Sequence, residues 1–519
     1  MLTVVFAAAA ALTTHAAHSA SQESVAVLVE RSPDGVSVQY SLPAPVHAFA
    51  FADEDVIRDR WQIVTEGLTL DGAMVTGAER FSTFEVRITP DAAEVDRIYM
   101  GLSRAGEGYV LYGPALKAEG YSTSLRFDDA SDDVAVPAVD AVDGYVFFGP
   151  ADHVTDDAHG AFIADPELSA ELAAPIRDAF RSSMEFYQAR LNLDLDYHPA
   201  VIASVDSPGP AIFRGDVTDT GVISVRFTGD SWRGAEAFLA PFVWHETFHL
   251  WNGHGIQNRD GESAPWLHEG AAEYASIIGA VSANARPEDQ GRSALAQKTN
   301  GCRRALASRE GGMSSVRSGS SVYDCGALIQ WIADLELQNA GQGAFFSLWA
   351  DILRDARASD DGYGVTEFMT ALPASSAVRL LVEEEGEIQW DQIRARMTDL
   401  GVTFVNDPGA GDLLTAALFH IARQNCSNGS YGFYNDPGAL RLDGADCGPL
   451  SGEPIIDTVE GFDPQQQSAA MFNAVQARCA ASLPIRYQAR DGRVLEAVCD
   501  SPLETPEVWA ISEAPSLRR

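Results

Sequence analysis

His245-Glu246-Thr247-Phe248-His249 constrains this chain more tightly than any other segment. Positions i and i+4 share one face of a helix. On a helix the two imidazoles can therefore reach one zinc ion, with Glu246 facing the water beside it. Phe238, Leu239, Phe242 and Val243 form the apolar set that would bury such a helix. Asp230 or Ser231 can cap its start, and Asn252-Gly253 can close it. The five-residue pattern also arises by chance, and an isolated histidine pair is more often structural than metal-binding.

A catalytic zinc takes three protein ligands and keeps one position open. Trp266-Leu267-His268-Glu269-Gly270-Ala271-Ala272-Glu273-Tyr274 follows shortly, with Ser263 and Pro265 opening a second helix. Glu269 and Glu273 share a face of it. One carboxylate can bind zinc while the other accepts the remaining N–H of a ligand histidine, which orients the ring. Two carboxylates on an apolar helix call for a cation.

HExxH followed by Trp-Leu-x-Glu-Gly resembles the gluzincin metallopeptidases, in particular the glycyl aminopeptidase and membrane alanyl aminopeptidase families. His249-Leu250-Trp251-Asn252 looks like the former. The resemblance covers residues 165 to 400. It implies a thermolysin-like zinc peptidase domain with a helical lobe, holding one Zn2+ per chain on His245, His249 and Glu269. It implies Glu246 as general base, Glu273 behind a ligand histidine, and a peptide or protein substrate. In these families a Tyr-x-Lys-Gly-Ala tyrosine stabilises the oxyanion; Tyr323 of Ser321-Val322-Tyr323-Asp324-Cys325-Gly326-Ala327 matches it, with Cys325 in place of the Lys. Nineteen residues separate His249 from Glu269, against 18 in the alanyl family, so a strict count lands on His268. The local frame aligns Glu269. No Gly-x-Met-Glu-Asn segment stands upstream, which leaves aminopeptidase and endopeptidase modes open. The strand at 221–227 is a candidate for pairing with an extended peptide. The rival reading is a non-catalytic, zinc-containing peptide-binding protein. Its mark would be a lost Glu246 or ligand, and none is lost.

Around this region the pattern predicts an α+β protein. Residues 22–150 alternate apolar and polar, as in Ser24–Val29, Gly35–Tyr40, Ser82–Ile88 and Gly144–Phe148, which reads as a β-sandwich-like domain. The acidic run Asp128–Asp133 reads as a solvated loop. Asp165-Pro166-Glu167 reads as the start of a long helix, opening a catalytic domain over 155–400. Residues 405–519 read as a small disulfide-bonded C-terminal α/β accessory domain with a hairpin turning at Asp491-Gly492; Gly452 to Gly461, the helix that follows and Arg490-Asp491-Gly492-Arg493 resemble a divergent PDZ, a domain the glycyl aminopeptidase family often carries at its C-terminus. Residues 1–20 read as a signal peptide, although no Lys or Arg precedes the apolar run. Six cysteines fit a secreted or periplasmic protein; their clustering suggests Cys302 with Cys325 and two bridges among Cys426, Cys447, Cys479 and Cys499. A cytosolic protein with buried thiols is the alternative. A formal charge of -38 argues against nucleic acid as a partner. No stretch is long and apolar enough for a membrane span. The sequence leaves the oligomeric state open.

Overall fold

The computed structural model describes residues 23–519 apart from 92–100, 129–131, 139–142, 207–211, 219–220, 229–235, 308, 360, 428–430 and 437–438. The expected signal peptide and the caps at Asp230 and Ser231 lie outside the described residues. The architecture is mixed α+β. The chain divides into two compact units, 1–257 and 258–519.

The first unit begins with two sheets. In one, the order is Trp61–Ile63, Met74–Ile88, Gly35–Ala50, Ser24–Ser32, Ser122–Phe127, with Leu68–Asp71 also paired to Met74–Ile88. The other runs Leu102–Ala105, Gly108–Tyr112, Tyr145–Pro150, Asp133–Val136. Alternation of the strands points Val25, Val27, Val29, Val36, Val38 and Tyr40 to one side, where they share a core with Tyr109, Leu111 and Phe148 of the second sheet. At the end of the acidic run, Asp133 is held by Arg31 through two hydrogen bonds of 2.6 and 2.8 Å.

A third sheet follows, ordered Val154–Asp157, Gly160–Ala164, Ala200–Asp206, Val222–Thr228, Ile212–Thr218. Its two central pairings are parallel, and Ile212–Thr218 runs antiparallel along one outer edge. The strand expected to receive a peptide is therefore interior. Val222–Thr228 spends both of its edges on Ala200–Asp206 and Ile212–Thr218, so no backbone groups remain for a third partner.

Helix α1 (Ala170–Leu191) starts later than the Asp-Pro-Glu signal predicts, and Ser169 is its cap residue. Asp165 is used elsewhere. It is buried and accepts hydrogen bonds from the backbone N–H of Gly106, Val205 and Glu167. A short polar side chain suits such a turn as well as a helix start, so the sequence signal was ambiguous. Helix α2 (Glu236–His249) packs on α1.

The second unit is led by helices α3 (Pro265–Ser282), α4 (Glu288–Leu306) and α5 (Ser320–Asn339). α3 and α5 cross closely because glycine meets glycine. A Cβ on Gly270 would stand 2.3 Å from the Gly326 backbone, and one on Gly326 would stand 2.6 Å from the Trp266 carbonyl oxygen. Further on, a five-stranded antiparallel sheet from Tyr431 to Ala497 packs against helices Ala410–Asn425 and Ser468–Ala480. The hairpin Ile485–Ala489 and Val494–Ala497 turns at the predicted Asp491-Gly492. The chain then returns: Trp509–Glu513 pairs with Thr403–Asn406. The Arg519 guanidinium reaches the buried Asp334 carboxylate of α5 at 2.9 Å. Disulfides join Cys302–Cys325, Cys426–Cys447 and Cys479–Cys499. No described helix is long and apolar enough to cross a membrane.

Candidate metal and catalytic site

Within the first unit, α2 carries the histidine pair. Its apolar side is fixed against α1 by rings and hydroxyls. Tyr187 packs edge-on against Trp244, Phe248 and Trp251. The Tyr187 hydroxyl donates to the Trp244 carbonyl at 3.1 Å, and Ser183 Oγ lies 2.9 Å from Thr247 Oγ1. Rotation of α2 is thereby set, and His245 and His249 emerge together. Their Nε2 atoms stand 3.1 Å apart, with both rings buried.

The helix does not stop cleanly at Asn252-Gly253 as expected. It widens after His249 into a π-helical turn, Leu250–Gly255. Such turns recur at functional sites because they redirect side chains within a helix. Here the turn brings Asn252 Oδ1 to 2.9 Å from His249 Nδ1. The Leu250 carbonyl accepts from the Tyr197 hydroxyl at 2.7 Å, and Trp251 Nε1–H donates to the Leu193 carbonyl at 2.8 Å. In the tautomer whose Nδ1–H donates to Asn252 Oδ1, His249 Nε2 carries a lone pair. Two ring nitrogens directed at one point, one of them braced from behind, suit a divalent cation. Glu246 lies on the same helix and is half-buried.

In the second unit, α3 carries both expected carboxylates. Glu269 Oε1 lies 3.5 Å from His268 Nε2, while His268 Nδ1 is 3.1 Å from Asn258 Nδ2. Burial pushes the Tyr363 hydroxyl far above its usual pKa, and the nearby negative charge of Glu269 adds to this. One turn on, Glu273 Oε1 accepts from Lys298 Nζ of α4 at 3.0 Å, and the same ammonium lies 3.2 Å from Asp324 Oδ1 of α5. Burial disfavours the charged form of Lys298, but Glu273 and Asp324 outweigh it and raise its pKa. Tyr323 stands in the first turn of α5 and is 40% exposed, so it is not a core tyrosine.

The unit boundary after Gln257 separates the histidine pair from Glu269, Glu273 and Tyr323 along the chain. Sequence reasoning missed Asn252 as a brace for His249, having read it only as a helix end. It also missed Lys298, which has no local signal because both of its partners come from other helices.

No protein-family model matches the sequence, and no curated protein does. Solved structures do. An aminopeptidase N family protein from Idiomarina loihiensis superposes with a TM-score of 0.66 at 12% identity, over 95% of this chain and 98% of that one. An M1 zinc metallopeptidase from Deinococcus radiodurans gives a TM-score of 0.41 at 13% identity, over 67% of this chain and 89% of that one. Yeast LTA4 hydrolase in complex with bestatin also gives 0.41, at 8% identity, over 78% and 72%. The first of these establishes that the chain shares the fold of the Idiomarina protein over nearly its whole length.

Proposed function

We propose that this chain is a gluzincin-type zinc metallopeptidase, with His245, His249 and Glu269 holding one Zn2+. The observation that carries this reading is the His245–His249 pair, its Nε2 atoms 3.1 Å apart with Asn252 behind one ring. Bound there, zinc would acidify water and polarise a peptide carbonyl. The remaining work falls to side chains. Glu246 takes the proton of the attacking water and returns it to the leaving amine. Tyr323, 40% exposed in the first turn of α5, donates to the oxyanion of the tetrahedral intermediate. Glu273 accepts the remaining N–H of a ligand histidine and so orients its ring. The fold shared with an aminopeptidase N family protein supports a peptide substrate.

The same reading places the protein in an oxidising compartment, secreted or periplasmic, which the three disulfides favour. It assigns the region after 405 as an accessory domain, and a divergent PDZ remains the finer proposal for it.

Zinc content by mass spectrometry tests the reading. Wild type and His268→Ala should each carry about one zinc, and Glu269→Ala should lose it. A folded wild type that takes up no zinc would favour the peptide-binding protein. Zinc lost only in His268→Ala would move the third ligand by one residue.

A further inference from the structure

Three devices converge on the first turns of α5. Gly326 lies against the Gly270 backbone of α3. Cys325 is bonded to Cys302 of α4. Between Tyr323 and Cys325, Asp324 meets Lys298 Nζ at 3.2 Å, and that ammonium also meets Glu273 of α3 at 3.0 Å. Gly301, one turn after Lys298, makes room for this: a Cβ there would stand 2.2 Å from Asp324 Oδ2.

The disulfide and the glycine crossing fix the distance between helices. Both attach α5 through residues that follow Asp324, whereas Lys298 holds Asp324 itself, the residue next to Tyr323. On one side Lys298 and Asp324 line an open cleft of about 1500 Å³. The ionic contact joins α3, α4 and α5 beside that cleft. Its three members are only about a fifth to a quarter exposed, which shields the contact from solvent.

We infer that Lys298 is a positioning residue: by bridging Glu273 of α3 and Asp324 of α5, it sets the orientation in which Tyr323 is presented. The role of Tyr323 in turnover rests on the peptidase reading above, but the way it is held does not. Lys298 supplies a cation from a neighbouring helix, close to the place where Cys325 interrupts the Tyr-x-Lys pattern.

The test uses Lys298→Met, Lys298→Arg and Asp324→Asn in the full chain, each with and without Tyr323→Phe. Asp324→Asn keeps the Lys298–Glu273 pair and covers the case in which Lys298→Met does not fold. Turnover is read with internally quenched peptides and aminoacyl-coumarins, normalised to zinc content. Lys298→Met and Asp324→Asn should lower kcat about tenfold with KM within about twofold and zinc retained, and Lys298→Arg should recover most of it. In the Tyr323→Phe background neither should lower kcat further. Independently of activity, 3-fluorotyrosine placed at 323 should change its 19F shift and broaden in Lys298→Met, with or without metal. Multiplicative losses with Tyr323→Phe, an unchanged 19F signal, or zinc lost together with activity would each overturn the inference. A Tyr323→Phe protein with full turnover but a 19F signal that still depends on Lys298 would overturn the catalytic reading of Tyr323 and leave the positioning intact.

Discussion

Helix α2 presents His245 and His249 through its own repeat, and α1 decides only which way that face points. The first turn of α5 presents Tyr323 through contacts with two other helices: the Gly270–Gly326 crossing, the Cys302–Cys325 bond and the Lys298 bridge. One arrangement is local and needs few partners. The other is distributed, so a change at any of several distant positions should reach Tyr323. The difference explains why a short motif can announce a histidine pair, whereas a tyrosine in a loose frame needs the fold to say what it does.

The largest expected effect strikes the chemistry beside the local arrangement. Glu246→Gln should lower kcat by ~10³-fold while the fold and zinc content stay intact. Peptide turnover on zinc-normalised protein measures it; a loss below tenfold would remove Glu246 as general base.

Next comes the distributed side. Gly326→Ala forces a methyl group against the Trp266 carbonyl and the Gly270 backbone, neither of which can yield like a flexible side chain. We expect a loss of ~3 kcal/mol in urea unfolding. An unchanged midpoint would show that the α3–α5 crossing is looser than the geometry implies. Asn252→Ala sharpens the comparison from the local side. Removing the brace behind His249 should weaken zinc affinity by roughly 10–100-fold in a chelator competition, with little change in unfolding.

The smallest effect concerns the returning C-terminal segment. The Leu517 backbone N–H holds the Glu288 carboxyl below its usual value of 4.5. A lowered folded-state pKa contributes stability above the unfolded value, and that stability is lost as pH falls through the folded one. Wild-type Tm should therefore drop more steeply below about pH 4.5 than the Tm of Glu288→Gln. Equal slopes would mean that this contact contributes nothing.

Much of the architecture was legible from pattern. Period-two alternation marked Ser24–Val29 and Gly35–Tyr40 as strands because a half-buried sheet imposes it. The Asp491-Gly492 turn was readable because the two residues reverse the chain on their own. Cysteine clustering pointed to Cys302–Cys325, which the structure contains. Asp165 misled as a helix start because its side chain can satisfy backbone N–H groups in several kinds of turn, and only the neighbours Gly106 and Val205 decide which.

The sequence by itself determined what one helical turn or one strand repeat can specify: the shared face of His245 and His249, and that of Glu269 and Glu273. Tertiary structure decided what depends on residues far apart in the chain. It made Val222–Thr228 an interior strand, since strand order is set by which edges meet and not by a strand's own residues. It turned Asn252 toward His249 through the π-helical turn. It also brought Lys298 between Glu273 and Asp324, because an ammonium on a long flexible stem records nothing in the sequence about the carboxylates it will meet.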